Sequence, residues 1–465
     1  MRKNLHTISE IILRHFDKGL LLIAILIPLV IIGLYLVPIG QKAPIRTDAI
    51  GYYSYLPAVF HEHDLSFNFL IEEGAPSVKG VNSFERILNP EEAQRMGYNQ
   101  VLEGRYFNKY PIGVAVLLLP FFLLGHIFTL IFGEETNGWS FFYQYMVSYG
   151  GIVYFLAGIS ILKRLLLRHF SSIVTLITLI ITIFGTNLFN YATYENAFSH
   201  IYSFLFITLL LFIIPMWLKK FDLKKTIIMG IVCGFILLIR QMNVIFLLIP
   251  LLYGLRSLQD IGSRIITFWK VKWKVMLILG VIVLLFLPQI AYWKYASGSW
   301  ITFSYVGESF TFTKPLILKV LFSTQKGLFF WSPLLLFASF GLFLLKGSVR
   351  KYIITAVFII TLQIYLVSCW SNWQFGWSYG HRVFVDSMPF FALGFAGFYS
   401  GTKNKKYFSI VVYALSGMLL FLSLFQMVQY WLKIIPPINT TFDEYRNIFL
   451  LLDSDKQFHK QDKLY

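Results

Sequence analysis

Two stretches near the N-terminus decide the class of fold. The first is the apolar run Leu20-Leu-Leu-Ile-Ala-Ile-Leu-Ile-Pro-Leu-Val-Ile-Ile-Gly-Leu-Tyr-Leu-Val37. The second is Arg46-Thr-Asp-Ala-Ile-Gly-Tyr-Tyr-Ser-Tyr-Leu-Pro57. A helical crossing of a bilayer takes roughly 20 apolar residues, so the first stretch is a membrane span. Basic residues precede it and no small-residue cleavage site follows it, so it reads as an anchor and not as a removed signal peptide. The second stretch sets a carboxylate, Asp48, just past the end of that span. An acid at a membrane surface, followed by a Tyr-rich, Pro-stopped segment, suits an enzyme that deprotonates an acceptor there. Taken alone, Asp48 has a plainer account as a solvated loop residue before a turn.

Composition extends the same reading to the whole chain. Of 465 residues, 57% are hydrophobic and only 14% charged, against roughly 25% charged in soluble domains. Mean hydropathy is +0.66 and the aromatic share is 18%. The expected class is therefore an all-α polytopic membrane protein. The net charge of +17 is split into small clusters between apolar runs. That is the pattern of topology signals and anionic-lipid contact, and it argues against nucleic acid as a partner. Cys233 and Cys369 lie in or beside apolar runs, and no disulfide is expected between them.

Further apolar runs fall near 112–132, 141–162, 172–190, 200–218, 226–252, 275–293, 328–345, 352–369, 383–399 and 407–432. Basic clusters mark the cytoplasmic side: Arg2/Lys3/Arg14/Lys18, Lys163/Arg164/Arg168, Lys219/Lys220/Lys224/Lys225, Arg256 to Lys274, Lys346/Arg350/Lys351 and Lys403/Lys405/Lys406. With the N-terminus inside, these clusters keep their side only if 112–132 does not cross. Lys109-Tyr-Pro-Ile-Gly113, Pro120 and Gly125 suggest a broken helix lying on the outer surface. The run 226–252 must then divide into two short crossings at Arg240-Gln-Met-Asn243. Polar backbone at that depth survives only where it lines a protein cavity. The expectation is about 11 crossings, with exterior segments at 41–140, 295–327 and 433–465, in one membrane unit without repeats. An outside N-terminus with a spanning 112–132 also satisfies parity.

In order and sidedness, several local patterns together resemble the GT-C superfamily of polyprenyl-phosphate-sugar-dependent glycosyltransferases. The nearest branch is that of the protein O-mannosyltransferases and the lipid A aminoarabinose transferase. Asp48 with Tyr52 and Tyr55 stands where that family places its acid, early in the first exterior loop. Lys109-Tyr110-Pro111 is similar to the basic-Pro-Pro element that opens a surface helix, with Ile112 in place of the second Pro. Tyr194-Glu195-Asn196, Leu238-Ile-Arg240-Gln, Lys326-Gly-Leu-Phe-Phe-Trp-Ser-Pro333 and Trp370-Ser-Asn-Trp373-Gln-Phe-Gly-Trp-Ser-Tyr379-Gly-His-Arg382 resemble its later elements.

The resemblance implies attack of an acceptor hydroxyl on C1 of a sugar that leaves a lipid-linked phosphate, with inversion, at the outer face of a bacterial-type cytoplasmic membrane. Such a step needs a base near the hydroxyl and cations near the departing phosphate. Asp48 is the candidate base, with a pKa expected to be raised by a lipid-flanked cleft. Glu195 is the second acid. Lys109, Arg240 and Arg382 are candidate phosphate ligands. Arg240 is the most telling, since an unpaired Arg within apolar sequence costs on the order of 3 kcal/mol. A structural ion pair is its alternative role. Tyr52, Tyr53, Tyr55, Tyr110, Trp370, Trp373, Trp377 and Tyr379 are candidates to contact sugar or prenyl groups, or else members of an interfacial aromatic belt. No cofactor is required; a divalent metal on Asp48, Glu195 and His200 is a weaker expectation. The expected partners are the lipid-linked donor, a hydroxyl-bearing lipid, glycan or protein, and membrane lipids. A lipid or polysaccharide-precursor transporter would show broken helices in two matching halves, whereas here the polar residues gather at one face. A polysaccharide polymerase is a nearer alternative.

Overall fold

The computed structural model describes residues 2–37, 43–72, 87–102, 104–402 and 405–452. Parts of the expected first loop (73–86) and of the C-terminal tail (453–465), together with Lys403, lie outside them. Among the described residues the only strands form one antiparallel hairpin, Tyr98–Leu102 with Arg105–Asn108. The rest is helix and loop. Among the described residues eight helices are long and apolar enough to cross a membrane, and the chain is accordingly a multi-pass membrane protein. They are Thr7–Leu36, Gly113–Phe132, Phe141–Leu167, Ser199–Lys219, Lys272–Ser297, Gly347–Cys369, Arg382–Thr402 and Lys406–Trp431. Both cysteines are buried and free.

Three helices fix the position of the candidate site. Ser199–Lys219 runs antiparallel to Leu223–Ile239. Trp217 donates to Thr226 (3.1 Å) near one end, and Asn243 donates to Ser203 (2.8 Å) just beyond the other. Leu223–Ile239 in turn packs along Lys272–Ser297. The α-helix stops at Arg240, whose backbone is extended (φ −156°, ψ 125°), and a 3-10 segment, Gln241–Leu248, takes over. Arg240 is thereby carried to the end of the pair where His200 begins its helix. Elsewhere small residues bring helices close. Gly394 and Gly397 lie against Ala338 and Gly341, so Leu335–Phe343 meets Met388–Thr402 almost backbone to backbone, as membrane helix pairs favour.

Two expected elements differ. Residues 113–132 form one continuous helix despite Pro120. The single hydrogen bond that Pro120 removes is outweighed by packing along Phe141–Leu167, where Gly125 sits on the backbone of Tyr143 and Tyr154 donates to the Leu117 carbonyl (2.7 Å). The run 328–345, expected to be one span, divides at Ser332-Pro333 into Leu328–Trp331 and Leu335–Phe343, because the residue before a proline is driven out of helical geometry.

The described part of the tail folds back. Thr324 donates to the Thr440 carbonyl (2.8 Å), Lys326 donates to those of Ser378 and Pro437, and Tyr445 of the short helix Phe442–Ile448 packs on Phe330 and Trp331.

Candidate functional site

Asp48 is the first residue of the helix Asp48–Tyr53, so its carboxylate sits at a helix N-terminus. Thr47 before it holds φ 50°, ψ −129°, a region that L-residues with branched side chains occupy only under constraint. The next turn carries Gly51. A Cβ there would lie 2.0 Å from the ring of Tyr110, so only glycine lets that ring lie flat on the helix. Asn108 completes the bracket: its amide donates to the Gly51 carbonyl (2.7 Å) and its side-chain oxygen accepts from the Tyr110 amide (3.0 Å). Lys109 is placed by the hairpin. Its amide donates to the Gly97 carbonyl (2.9 Å), and its aliphatic stem crosses Gly97, whose positive φ of 91° and missing side chain leave the room.

These elements open onto a narrow cleft of about 40 Å3. Among the sequence candidates, Asp48, Tyr52, Lys109, Tyr110, His200, Arg240 and Arg382 line it. Arg382 Nη1 donates to Asp48 Oδ2 at 2.8 Å. Tyr52 donates to Ser199 (2.9 Å). The Lys109 ammonium lies over the rings of Tyr110 (5.2 Å) and Tyr305 (5.5 Å). The cations therefore outnumber the acids in the cleft, where Asp48 and Glu308 stand against Lys109, Arg240 and Arg382.

The expected rise in the Asp48 pKa is reversed. Burial pushes it up, but Arg382, Lys109, the Tyr110 hydroxyl and Arg240 together outweigh burial and hold the carboxyl below its ordinary value. Held in this way, Asp48 is an ion-pair partner and a weak base.

Arg240 has a partner of its own. Its Nη1 lies 3.3 Å from Asp386 Oδ2 and 2.8 Å from His200 Nδ1, while Asp386 Oδ1 is 3.0 Å from that same nitrogen. A single ring nitrogen serves one of these, as acceptor from Arg240 or as donor to Asp386. The expected metal set of Asp48, Glu195 and His200 does not converge. Arg382 holds Asp48, and Asp386 and Arg240 hold His200. Asn190 (2.9 Å) and Tyr430 (3.1 Å) donate to the Glu195 carboxylate. Among the described residues no three His, Cys, Asp or Glu side chains are grouped to hold a metal ion.

Glu195 lies off the cleft. Burial raises its pKa despite opposition from Arg46 and Arg382. Tyr55, Trp373 and Tyr379 are also buried away from it. Tyr55 donates to the Tyr110 carbonyl (2.7 Å) and Tyr379 to that of Ser423 (3.3 Å); both brace the walls. Of the two candidates Trp370 and Trp373, Trp370 lines the cleft and donates to Glu308 (2.7 Å). The sequence reading missed Ser199, Tyr305, Glu308, Asn372 and Phe375 in the lining, and Asp386 behind it. An acid inside the apolar run 383–399 was a usable signal for Asp386. Glu308 lay in a recognised exterior segment without a pattern to single it out.

Fold and cleft together define a multi-pass membrane protein with a cation-rich cleft at one end of its helix bundle. Comparison with protein families, with curated proteins and with solved structures finds no match to this chain.

Proposed function

We propose that the protein is a membrane glycosyltransferase that moves a sugar from a polyprenyl-phosphate donor to a hydroxyl acceptor at the exterior face of the cytoplasmic membrane. The observation that carries this reading is the carboxylate of Asp48, paired with Arg382 and set beside Lys109 and Arg240 in one cleft. Cations there suit a phosphate, Arg by paired hydrogen bonds and Lys as a point charge. When the lipid phosphate binds, it takes over Arg382 and offsets the charge of Lys109 and Arg240. Asp48 loses the partners that depress its pKa and becomes a competent base.

In the reaction, Asp48 accepts the acceptor O–H proton as that oxygen bonds to C1. The C1–O bond to phosphate breaks on the opposite face, and its electron pair stays on the phosphate oxygen. The products are the inverted glycoside and the free lipid phosphate, whose charge the cations hold. Tyr52 and Tyr110 flank the sugar. Resemblance to the GT-C superfamily supports the same assignment, and the placement of the basic clusters supports its sidedness and about 11 crossings.

The test is lipid and glycan mass spectrometry of a deletion strain. Accumulation of a prenyl-phosphate sugar, with loss of one sugar from an envelope glycan, supports the proposal. Unchanged prenyl-phosphate lipids and glycans refute it.

A further inference from the structure

The helix Ile261–Lys270 has three faces. Ile261, Arg264 and Phe268 turn inward, where Phe268 meets Trp217 (ring centroids 5.8 Å) and Arg264 donates to the Tyr253 carbonyl (2.7 Å). Ser263, Thr267 and Lys270 form a polar strip, and Ser263 and Thr267 line an open groove with Arg256, Asp260 and Arg264. On the third face Ile265, Ile266 and Trp269 are 55%, 59% and 72% exposed. They recur at the spacing of one helical stripe. Only Val271 separates this helix from the span Lys272–Ser297, whose Trp273 is again 72% exposed. The place is remote from the cleft: Trp217 stands 17 residues after His200 on one helix, about 25 Å at 1.5 Å per residue.

We infer that Ile261–Lys270 lies in the plane of the membrane surface at the end of the bundle away from the cleft. Its Ile265/Ile266/Trp269 face is sunk among acyl chains, and Lys270, Lys272 and Lys274 hold anionic phospholipid headgroups. Two observations choose this occupant. The helix is one residue from a span, so the bilayer edge lies against it. The lysines clustered at its end complement an anionic surface and repel a second copy of the same surface. An amphipathic helix with aromatic and aliphatic residues on one side and lysines on the other binds an interface through both contributions.

The full chain carrying Ile265→Cys, or Thr267→Cys as a polar-strip control, is labelled with bimane in vesicles. Cys233 and Cys369, both buried, remain. Brominated phosphatidylglycerol and brominated phosphatidylcholine, at equal mole fraction, serve as quenchers, and iodide reports water. The Ile265→Cys label is expected to be quenched by both lipids, more by phosphatidylglycerol, and spared by iodide; the Thr267→Cys label shows the reverse. Lys270→Gln, Lys272→Gln and Lys274→Gln each lower the phosphatidylglycerol preference by up to about fivefold and leave quenching by phosphatidylcholine in place. Iodide quenching of Ile265→Cys equal to that of Thr267→Cys overturns the inference, since the helix then lies in water. Protection from both lipids and iodide also overturns it, because protein then covers the face. A phosphatidylglycerol preference unchanged in the triple variant removes the headgroup part.

Discussion

Asp48→Asn separates the two roles that the cleft gives to one carboxylate. The substitution keeps the size and hydrogen-bonding reach of the side chain and removes its charge. In the resting protein Asp48 holds Arg382 at 2.8 Å, so a phosphate that needs Arg382 competes with Asp48 for it. A charge-assisted contact of this kind is worth about 1.5–3 kcal/mol. The Asp48 side chain is 26% exposed, so water screens the pair and the lower figure applies. Neutralising Asp48 therefore tightens binding of undecaprenyl phosphate by about tenfold. Turnover moves the other way and falls by roughly two to four orders of magnitude, the worth of a general base. Affinity is read by titration of the purified full chain with undecaprenyl phosphate, and turnover by the prenyl-phosphate sugar that accumulates in cells carrying the variant. Thermal stability without lipid falls, because Arg382 loses its counter-charge, and saturating lipid phosphate restores it. A variant that binds the lipid more weakly and turns over slowly refutes the reasoning, since Asp48 is then a scaffold residue. A variant with normal turnover removes it from the mechanism.

Arg240→Ala strands Asp386 without its cation and destabilises the protein by about 3–5 kcal/mol; the double variant Arg240→Ala/Asp386→Asn recovers most of this in thermal unfolding but not the affinity for undecaprenyl phosphate. Gly51→Ala pushes a methyl group into the Tyr110 ring and costs about 1–3 kcal/mol, with loss of lipid binding that Tyr110→Ala partly relieves. Burial presses the Lys326 ammonium down to about 7 from its ordinary 10.5; between those values the unfolded chain holds a proton that the folded chain lacks, so stability rises with pH across that window, and Lys326→Met flattens the rise in the thermal midpoint. Cysteines at His63, Thr193 and Ser371, all exposed, react with an impermeant reagent from the exterior, whereas one at exposed Lys219 reacts only from the cytoplasm. Labelling Thr193→Cys from the cytoplasm alone reverses the assigned sidedness.

The spans were legible in the sequence because a bilayer sets a length that apolar runs either meet or miss. Arg240 was legible for a related reason, as a charge in an apolar run has to be paired or lining a cavity. The polar candidates Asp48, Lys109 and Arg382 come from three segments that no local pattern joins, and their order and sidedness suggested the association. Aromatic residues were harder to assign. Trp370 and Trp373 lie in one irregular loop, where neither helical nor strand periodicity selects the inward side chain, and only Trp370 lines the cleft. The direction of the Asp48 pKa depends on a sum of opposing effects over distance, and sequence supplied the burial without the separations from Arg382 and Lys109. The helical continuity of residues 113–132 rests on packing with Phe141–Leu167, a partner that the proline rule does not contain.

The last long helix, Lys406–Trp431, carries a consequence for how the protein is made. Most of its length is turned away from the rest of the molecule, with only 22% of its apolar window buried. At its end, however, Tyr430 reaches Glu195 and Trp431 Nε1 reaches the side-chain oxygen of Asn190 at 2.8 Å. These partners are synthesised 235 and 241 residues apart. At the roughly 5–20 residues per second of translation, a nascent chain waits on the order of tens of seconds with a carboxylate in place and its hydroxyl donor not yet made. A ribosome that stops before residue 430 leaves a molecule with nearly all its spans and the Glu195 carboxylate without the hydroxyl that completes its hydrogen bonds.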